Sequence, residues 1–232
     1  MNEHLYYLVI DIACLTFPLI FSFHPAIKFY KEWTPLFSAL FITGILFIIW
    51  DEWFTVMGVW SFNSKYLTGY YIRLLPIEEI LFFFFIPYCL MFMYHCSARY
   101  YENNKPSGKL IRKFNLLLSL SLVIVGVIYI NKWYTGFTFI LTGTMLVLIS
   151  FSFFGKRINW VRFWLIYALG LIPFFIVNGL LTSIPIVQYN NTENLSIRIT
   201  TIPVEDFVYN ALLFLCNVTL YETFRIYNKS FL

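Results

Sequence analysis

The sequence predicts an all-α integral membrane protein, with about seven transmembrane helices arranged as two parallel three-helix repeats joined by a connector helix. Three observations predict it. The first is composition. Of 232 residues, 60% are hydrophobic and only 12% charged, and the mean hydropathy is +0.73. Soluble domains run at about 45–50% apolar and about 25% charged, so a soluble fold of this length has too few polar side chains to cover its surface. Disorder, collagen and coiled coil are excluded by the same numbers. The second observation is a set of seven apolar stretches, each near the ~20 residues needed to cross ~30 Å of hydrocarbon. The third is a pair of short acidic motifs recurring at a fixed offset.

The apolar stretches run at about 5–22, 35–50, 77–97, 113–130, 136–154, 161–181 and 204–224. They consume most of the chain and leave one membrane domain, 1–232, with loops only. Met1-Asn2-Glu3-His4 precede the first span without a basic n-region, so no cleavable signal is expected. The nearest thing to a linker is the basic loop from Arg99 to Lys113, which contains Pro and Gly. Basic residues favour cytoplasmic loops. With the loops numbered alternately, one side carries Lys28, Lys31, Arg99, Lys105, Lys109, Arg112, Lys113, Lys156, Arg157, Arg162, Arg225 and Lys229, and the other only Lys65, Arg73, Lys132 and Arg198. The expected orientation is N-terminus outside and C-terminus cytoplasmic, in a multi-pass protein of the cell membrane. The net charge of +4 is mostly this topology signal. It calls for no nucleic acid, although anionic lipid would attract it. Cys14, Cys89, Cys96 and Cys216 fall in apolar stretches without metal-site spacing and read as small packing residues. His4, His24 and His95 are scattered, so no metal site is expected.

The acidic motifs are Pro76-Ile77-Glu78-Glu79 and Pro203-Val204-Glu205-Asp206, 127 residues apart. Holding that offset without gaps brings further pairs into register: Trp33 with Trp160, Phe47 with Phe174, Asp51 with Asn178, Asn63 with Asn190, Ile72 with Ile199, Cys89 with Cys216 and Tyr94 with Tyr221. The repeats are expected over about 1–98 and 132–232, with the connector helix over about 99–131. Three spans and a connector restore the starting direction, so the repeats are parallel rather than inverted. Both motifs then open their helices at one membrane face, and a pseudo-twofold axis along the membrane normal brings them together.

Proline suits the first helical turn, and carboxylates there meet the positive end of the helix dipole. An acidic helix start at the interface explains one such motif. Two in register, aimed at one face, point to function, and intramembrane acids are functional by default. The motifs run into Phe82-Phe83-Phe84-Phe85 and Phe207-Val208-Tyr209-Asn210. Burial among apolar groups disfavours the charged form of a carboxylic acid, and an acid kept neutral is a proton donor. Aromatic faces stabilise cations. A buried acid among aromatic rings can therefore protonate an alkene and shelter the carbocation, while a second carboxylate takes the final proton. The same acids would also serve a transporter or a proton or cation relay.

Asp51 and Asn178 are expected to end the second and sixth helices, either as C-caps beside interfacial aromatic anchors or as groups that orient the acids. Asp11 lies within the first helix and reads either as the partner of a polar neighbour or as a residue near the interface; it is not taken as a site residue. Arg73 and Arg198 precede the acidic motifs and read either as interfacial snorkellers or as partners of an acid. Phe82 to Phe85 cover every face of a helix, so only a minority can line a pocket.

These residues resemble the integral-membrane lycopene cyclases, a cofactor-independent carotenoid-cyclase family. The resemblance lies in Asp51 with Gly58-Val59-Trp60-Ser61-Phe62-Asn63, and in Leu75-Pro76-Ile77-Glu78-Glu79 running into Phe82-Phe83. It continues in Asn178-Gly179-Leu180-Leu181-Thr182, Arg198-Ile199, Ile202-Pro203-Val204-Glu205-Asp206 and Asn217 to Tyr221-Glu222. It spans essentially the whole chain. Some relatives carry the halves as separate polypeptides of a heterodimer, and this chain looks like the single-chain form. The resemblance implies conversion of linear lycopene ends into β-ionone rings without net redox change, no flavin or other cofactor, and a substrate of lycopene or a related polyene drawn from the bilayer, alongside membrane lipid and other carotenoid-pathway enzymes as partners. It implies the motif acids as catalytic candidates, Glu78 and Glu205 as the matched pair with Glu79 and Asp206 next. Asp51, Asn178, Trp60, Phe82, Arg198, Tyr209 and Asn210 are the expected substrate or supporting residues. A retinal-binding seven-helix protein is excluded, because it needs a lysine midway along the last helix and the nearest, Lys229, lies beyond its end. A purely structural membrane subunit would not require duplicated acids.

Overall fold

The computed structural model of the chain describes residues 3–101 and 108–230. The centre of the basic loop expected between Arg99 and Lys113, Lys105 included, lies outside the described residues, as do the side chains of Arg99 and Lys229. Among the described residues, seven helices are each long and apolar enough to cross a membrane: α1 (Tyr6–Phe21), α2 (Trp33–Val56), α3 (Ile77–Tyr101), α4 (Gly108–Ile128), α5 (Trp133–Phe151), α6 (Trp160–Ser183) and α7 (Val204–Ser230). Six short strands lie between them: β1 (Trp60–Phe62), β2 (Tyr71–Ile72), β3 (Leu75–Pro76), β4 (Val187–Tyr189), β5 (Arg198–Ile199) and β6 (Ile202–Pro203).

The 127-residue offset holds element by element. The bounds of α2 and α6, of β1 and β4, of β2 and β5, and of β3 and β6 differ by 127, and α3 and α7 begin 127 apart. The chain is thus two parallel repeats with α4 as the connector. β1 and β4 pair antiparallel, Trp60 with Tyr189, Ser61 with Gln188 and Phe62 with Val187. Ser61 and Gln188 are also repeat mates, so the local twofold passes between them. The flanking bonds obey the same symmetry: the Asn63 N–H donates to the Ile186 carbonyl and the Asn190 N–H to the Val59 carbonyl, both at 2.9 Å.

The repeats interlock. α1 packs on α3 and α5 on α7, within each repeat, while α2 lies along α7 and α6 along α3. α4 packs chiefly along α5. Their close approach depends on small residues: the Ser119 hydroxyl donates to the Gly143 carbonyl at 2.5 Å, and a Cβ on Gly143 would lie 2.7 Å from the Ser119 carbonyl oxygen. The outward faces are apolar. Phe17, Ile20, Phe41, Leu46, Ile49, Leu148, Ile172 and Ile176 are all exposed, as lipid requires of its solute.

Two expectations are corrected. α2 continues six residues past its expected end and α6 two, so Asp51 and Asn178 sit inside helices rather than capping them. The reason is packing. Asp51 is buried with Phe54 on the inner face, and the helix runs on through Trp53, Phe54 and Val56. Arg162, grouped with the loop cations, is buried at the start of α6 and paired with Glu222 at 2.6 Å. Its guanidinium also lies 3.6 Å from the centroid of the Tyr94 ring.

Candidate active site

The strand hairpins set the acidic motifs in place. Proline forces the residue before it into an extended conformation, so Leu75 and Ile202 open short strands, paired to Ile72 and Ile199. Each hairpin closes through two residues, the first in the left-handed region: Arg73 at φ 57° and Thr200 at φ 59°. Two-residue hairpin loops favour such turns, whose twist matches that of the strands. α3 and α7 start directly after the prolines, and loop carbonyls accept their unpaired first N–H groups: Ile77 N–H to Tyr70 O at 2.9 Å, and Val204 N–H to Ile197 O at 3.1 Å.

Neighbouring acids then diverge. Glu78 is buried and accepts the Thr68 N–H at 2.7 Å. Glu205, its repeat mate, is buried and accepts the Leu195 N–H at 2.8 Å and the Thr135 hydroxyl at 2.6 Å. The residue after each of these N–H donors, Gly69 or Ser196, has positive φ. This pair ties the incoming loops to the helix starts. Glu79 and Asp206 instead line a shared cavity.

The two halves of that cavity are alike in one contact and different in others. Tyr7 donates its hydroxyl to Glu79 at 2.5 Å, and Tyr134, 127 residues on, donates to Asp206 at 2.5 Å. Asp206 gains two more donors, the Tyr189 hydroxyl at 2.8 Å and the Asn178 side-chain N–H at 3.2 Å. On the Glu79 side, Phe62 stands in place of Tyr189 and Asp51 in place of Asn178. Asp51 is buried, and its Oδ2 has no hydrogen-bond partner among the described residues. Tyr189 lies outside the membrane spans, and burial, followed by the nearby Asp206 carboxylate, pushes its phenol well above the usual tyrosine range. It is a neutral donor at physiological pH.

Aromatic rings close the site. Tyr209 lies 4.7 Å from Trp50 and 5.1 Å from Phe47 between ring centroids, Trp60 lies 5.1 Å from Tyr134, and Tyr134 stacks on Tyr189 at 5.8 Å. Of the expected supporting residues, Asp51, Asn178, Trp60, Phe82, Tyr209 and Asn210 line the cavity. Arg198 does not: its guanidinium donates to the Thr201 carbonyl at 2.9 Å and the Asn191 side chain at 2.8 Å. Arg73 is exposed and pairs with Glu52 at 3.2 Å, away from both motifs. The sequence reading omitted Tyr7, Tyr134 and Tyr189. The first two were within reach, since they obey the 127-residue offset. It also set aside Asp11, which is fully buried in α1 with neither carboxylate oxygen hydrogen-bonded among the described residues.

A multi-pass membrane protein with carboxylic acids and phenols gathered in an aromatic cavity is equipped for proton chemistry on an apolar molecule. The lycopene cyclase family model matches the chain twice, over residues 4–97 and 131–224, two segments offset by the same 127 residues. They cover most of the sequence, and the chain belongs to the lycopene cyclase family, membrane enzymes that act on carotenoids. No curated protein and no solved structure matches the chain.

Proposed function

We propose that this protein is a lycopene β-cyclase that closes the linear ends of its substrate by acid catalysis, with Glu79 as proton donor and Asp206 as proton acceptor. The observation that carries this reading is the unequal surroundings of two repeat-related acids on one cavity. Three donors converge on Asp206, which suits a carboxylate. Among the described residues Glu79 has one donor, with the second acid, Asp51, on the same wall, and two acids sharing a site in low dielectric retain a proton between them.

The proton from Glu79 adds to the terminal alkene of the polyene and leaves a tertiary carbocation. A π bond further along the chain attacks it, a carbon–carbon σ bond closes the six-membered ring, and the positive charge moves to a ring carbon. Asp206 removes a proton from the adjacent carbon and restores an alkene. One proton enters and one leaves, so the reaction is an isomerisation. The rings of Tyr209, Trp60 and Phe83, which line the cavity, stabilise the cation between these steps. Glu78 and Glu205 act as positioning residues by holding the loops at 68 and 195.

We read the chain as one membrane domain, repeats 1–98 and 132–232 with connector 99–131, its N-terminus outside and its acids toward the outer face. Lipid carries the substrate to it. Expression in a lycopene-accumulating bacterium should shift the extracted pigment from lycopene to ringed products. Glu79→Gln and Asp206→Asn should each abolish the shift at equal protein level. Lycopene left unconverted by well-folded wild-type protein would refute the reading. In intact cells, a membrane-impermeant thiol reagent should label Lys65→Cys and spare Lys156→Cys, and the reverse pattern would invert the orientation.

A further inference from the structure

A second, smaller cavity adjoins the site cavity, and Phe174, Asn178 and Asn210 belong to both linings. The rest of the second lining has no charged side chain. It follows α3 down to Met93, about 21 Å from Glu79 at 1.5 Å per residue. Cys14, Met93 and Pro173, on α1, α3 and α6, are half-buried at its rim. α1 is barely buried by the protein and hardly touches α6, so this rim faces lipid.

At the equivalent place in the other repeat the described side chains are larger. The mates of Val177 and Asn210 are Trp50 and Phe83, both buried. Trp50, Phe83, Phe47 and Tyr209 fill the equivalent volume, with Phe47 5.4 Å from Trp50 and 6.2 Å from Phe83 between ring centroids. A duplicated fold thus has one open arm and one filled arm beside a shared site.

We infer that the open arm binds the linear hydrocarbon chain of the substrate while its end group sits between Glu79 and Asp206. This rests on the cyclase reading and adds to it a direction of entry. The polyene passes between α1 and α6 from the bilayer and lies along α3. Only one end reaches the acids at a time, so a molecule closed at both ends must leave and return reversed.

A benzophenone amino acid placed at Met93, and separately at its repeat mate Leu220, tests the inference in membranes of a lycopene-accumulating strain. On illumination, pigment should become covalently attached at Met93 at least tenfold more than at Leu220. Equal attachment at both positions, or none at Met93, would overturn the open arm. Val177→Trp copies the filled arm into the open one and should lower lycopene conversion at least tenfold at equal amounts of monodisperse, extractable protein. Undiminished conversion by that variant counts against the inference as well. The unmodified protein in the same membranes separates the two levels. If it leaves lycopene unconverted, the proposed function fails. If it converts lycopene but pigment attaches without preference for Met93, only the open arm fails.

Discussion

Asp51 and Asn178 occupy equivalent places in the two repeats, 127 residues apart on α2 and α6, both buried on the wall of one cavity. Asn178 donates to Asp206 at 3.2 Å. Asp51 has nothing to donate when ionised and adds a second acid beside Glu79. Asp51→Asn therefore removes the shared proton while keeping the shape of the side chain. General acid catalysis contributes about 10²–10⁴-fold, so pigment conversion should fall by about 100-fold or more, with melting temperature in detergent within a few degrees of wild type. Full activity in Asp51→Asn would remove Asp51 from the donor.

The donors to Asp206 should be graded by what else supports it. Tyr134→Phe removes the 2.5 Å bond and Tyr189→Phe the 2.8 Å bond, and each leaves two donors behind. Each should cost roughly tenfold in conversion, about 1.4 kcal/mol, at the upper end for a typical hydrogen bond and just below the range for those to charged groups. The double variant should lose more than the product of the two, because the residues act on one carboxylate. Strict multiplication would mean they act separately.

Tyr189 also makes a prediction about pH. Its phenol is raised by burial and then by Asp206. Below about pH 10 it is protonated in both folded and unfolded chains and adds no pH dependence. Above that the unfolded chain releases a proton that the folded chain keeps, so stability falls as pH rises, by up to about 1.4 kcal/mol per pH unit until the folded value is passed. Wild type and Tyr189→Phe should therefore hold a constant difference in unfolding free energy from pH 7 to 9. From pH 10 to 11 wild type should lose more than the variant does. Parallel curves over the whole range would show that Tyr189 is not perturbed.

Much of this was legible in the sequence because duplication writes itself twice. The seven spans follow from hydropathy, and the ungapped offset located the acidic motifs and the Asp51–Asn178 pairing. Strands of two or three residues have too few positions to show a period of two, so the hairpins and the Ser61–Gln188 pairing were invisible. The choice between adjacent acids was hidden for a different reason. Glu78 and Glu79 are about 100° apart around the helix, and which one meets the cavity depends on where the loop carrying Thr68 docks. The sequence ranks Glu78 and Glu205 first, whereas the fold lines its cavity with Glu79 and Asp206. The filled and open arms were hidden too, since Val177 and Trp50 gain meaning only when seen as mates.

At the other end of the bundle, Arg162 and Glu222 should matter for stability and not for chemistry. The pair is buried, with Tyr94 donating to Glu222 at 3.0 Å and its ring under the guanidinium. Breaking a buried pair from one side strands a charge, at about 3–5 kcal/mol, whereas replacing both partners by apolar groups is often neutral or better. Glu222→Gln should thus lower the melting temperature strongly, and Arg162→Met with Glu222→Leu should recover most of the loss. Protein that remains folded should convert lycopene at the wild-type rate per molecule. A double variant no more stable than Glu222→Gln would show that the pair itself holds α6 to α7.

Asp11 reverses that logic. A buried carboxyl group with both oxygens unbonded costs stability, about 1–3 kcal/mol for an unsatisfied polar group, and its repeat mate Thr138 shows that a smaller uncharged side chain fits the equivalent place. Asp11 stands one turn after Tyr7, the residue that donates to Glu79. That places an unpaired acid within reach of the donor side of the cavity, on the element that also borders the open arm at Cys14. Asp11→Leu should therefore raise the unfolding free energy in detergent by about 1–3 kcal/mol while lowering conversion. A stabilised protein with unchanged conversion would make Asp11 a burden without a role in catalysis. A destabilised one would mean that the carboxyl group holds α1 against α3.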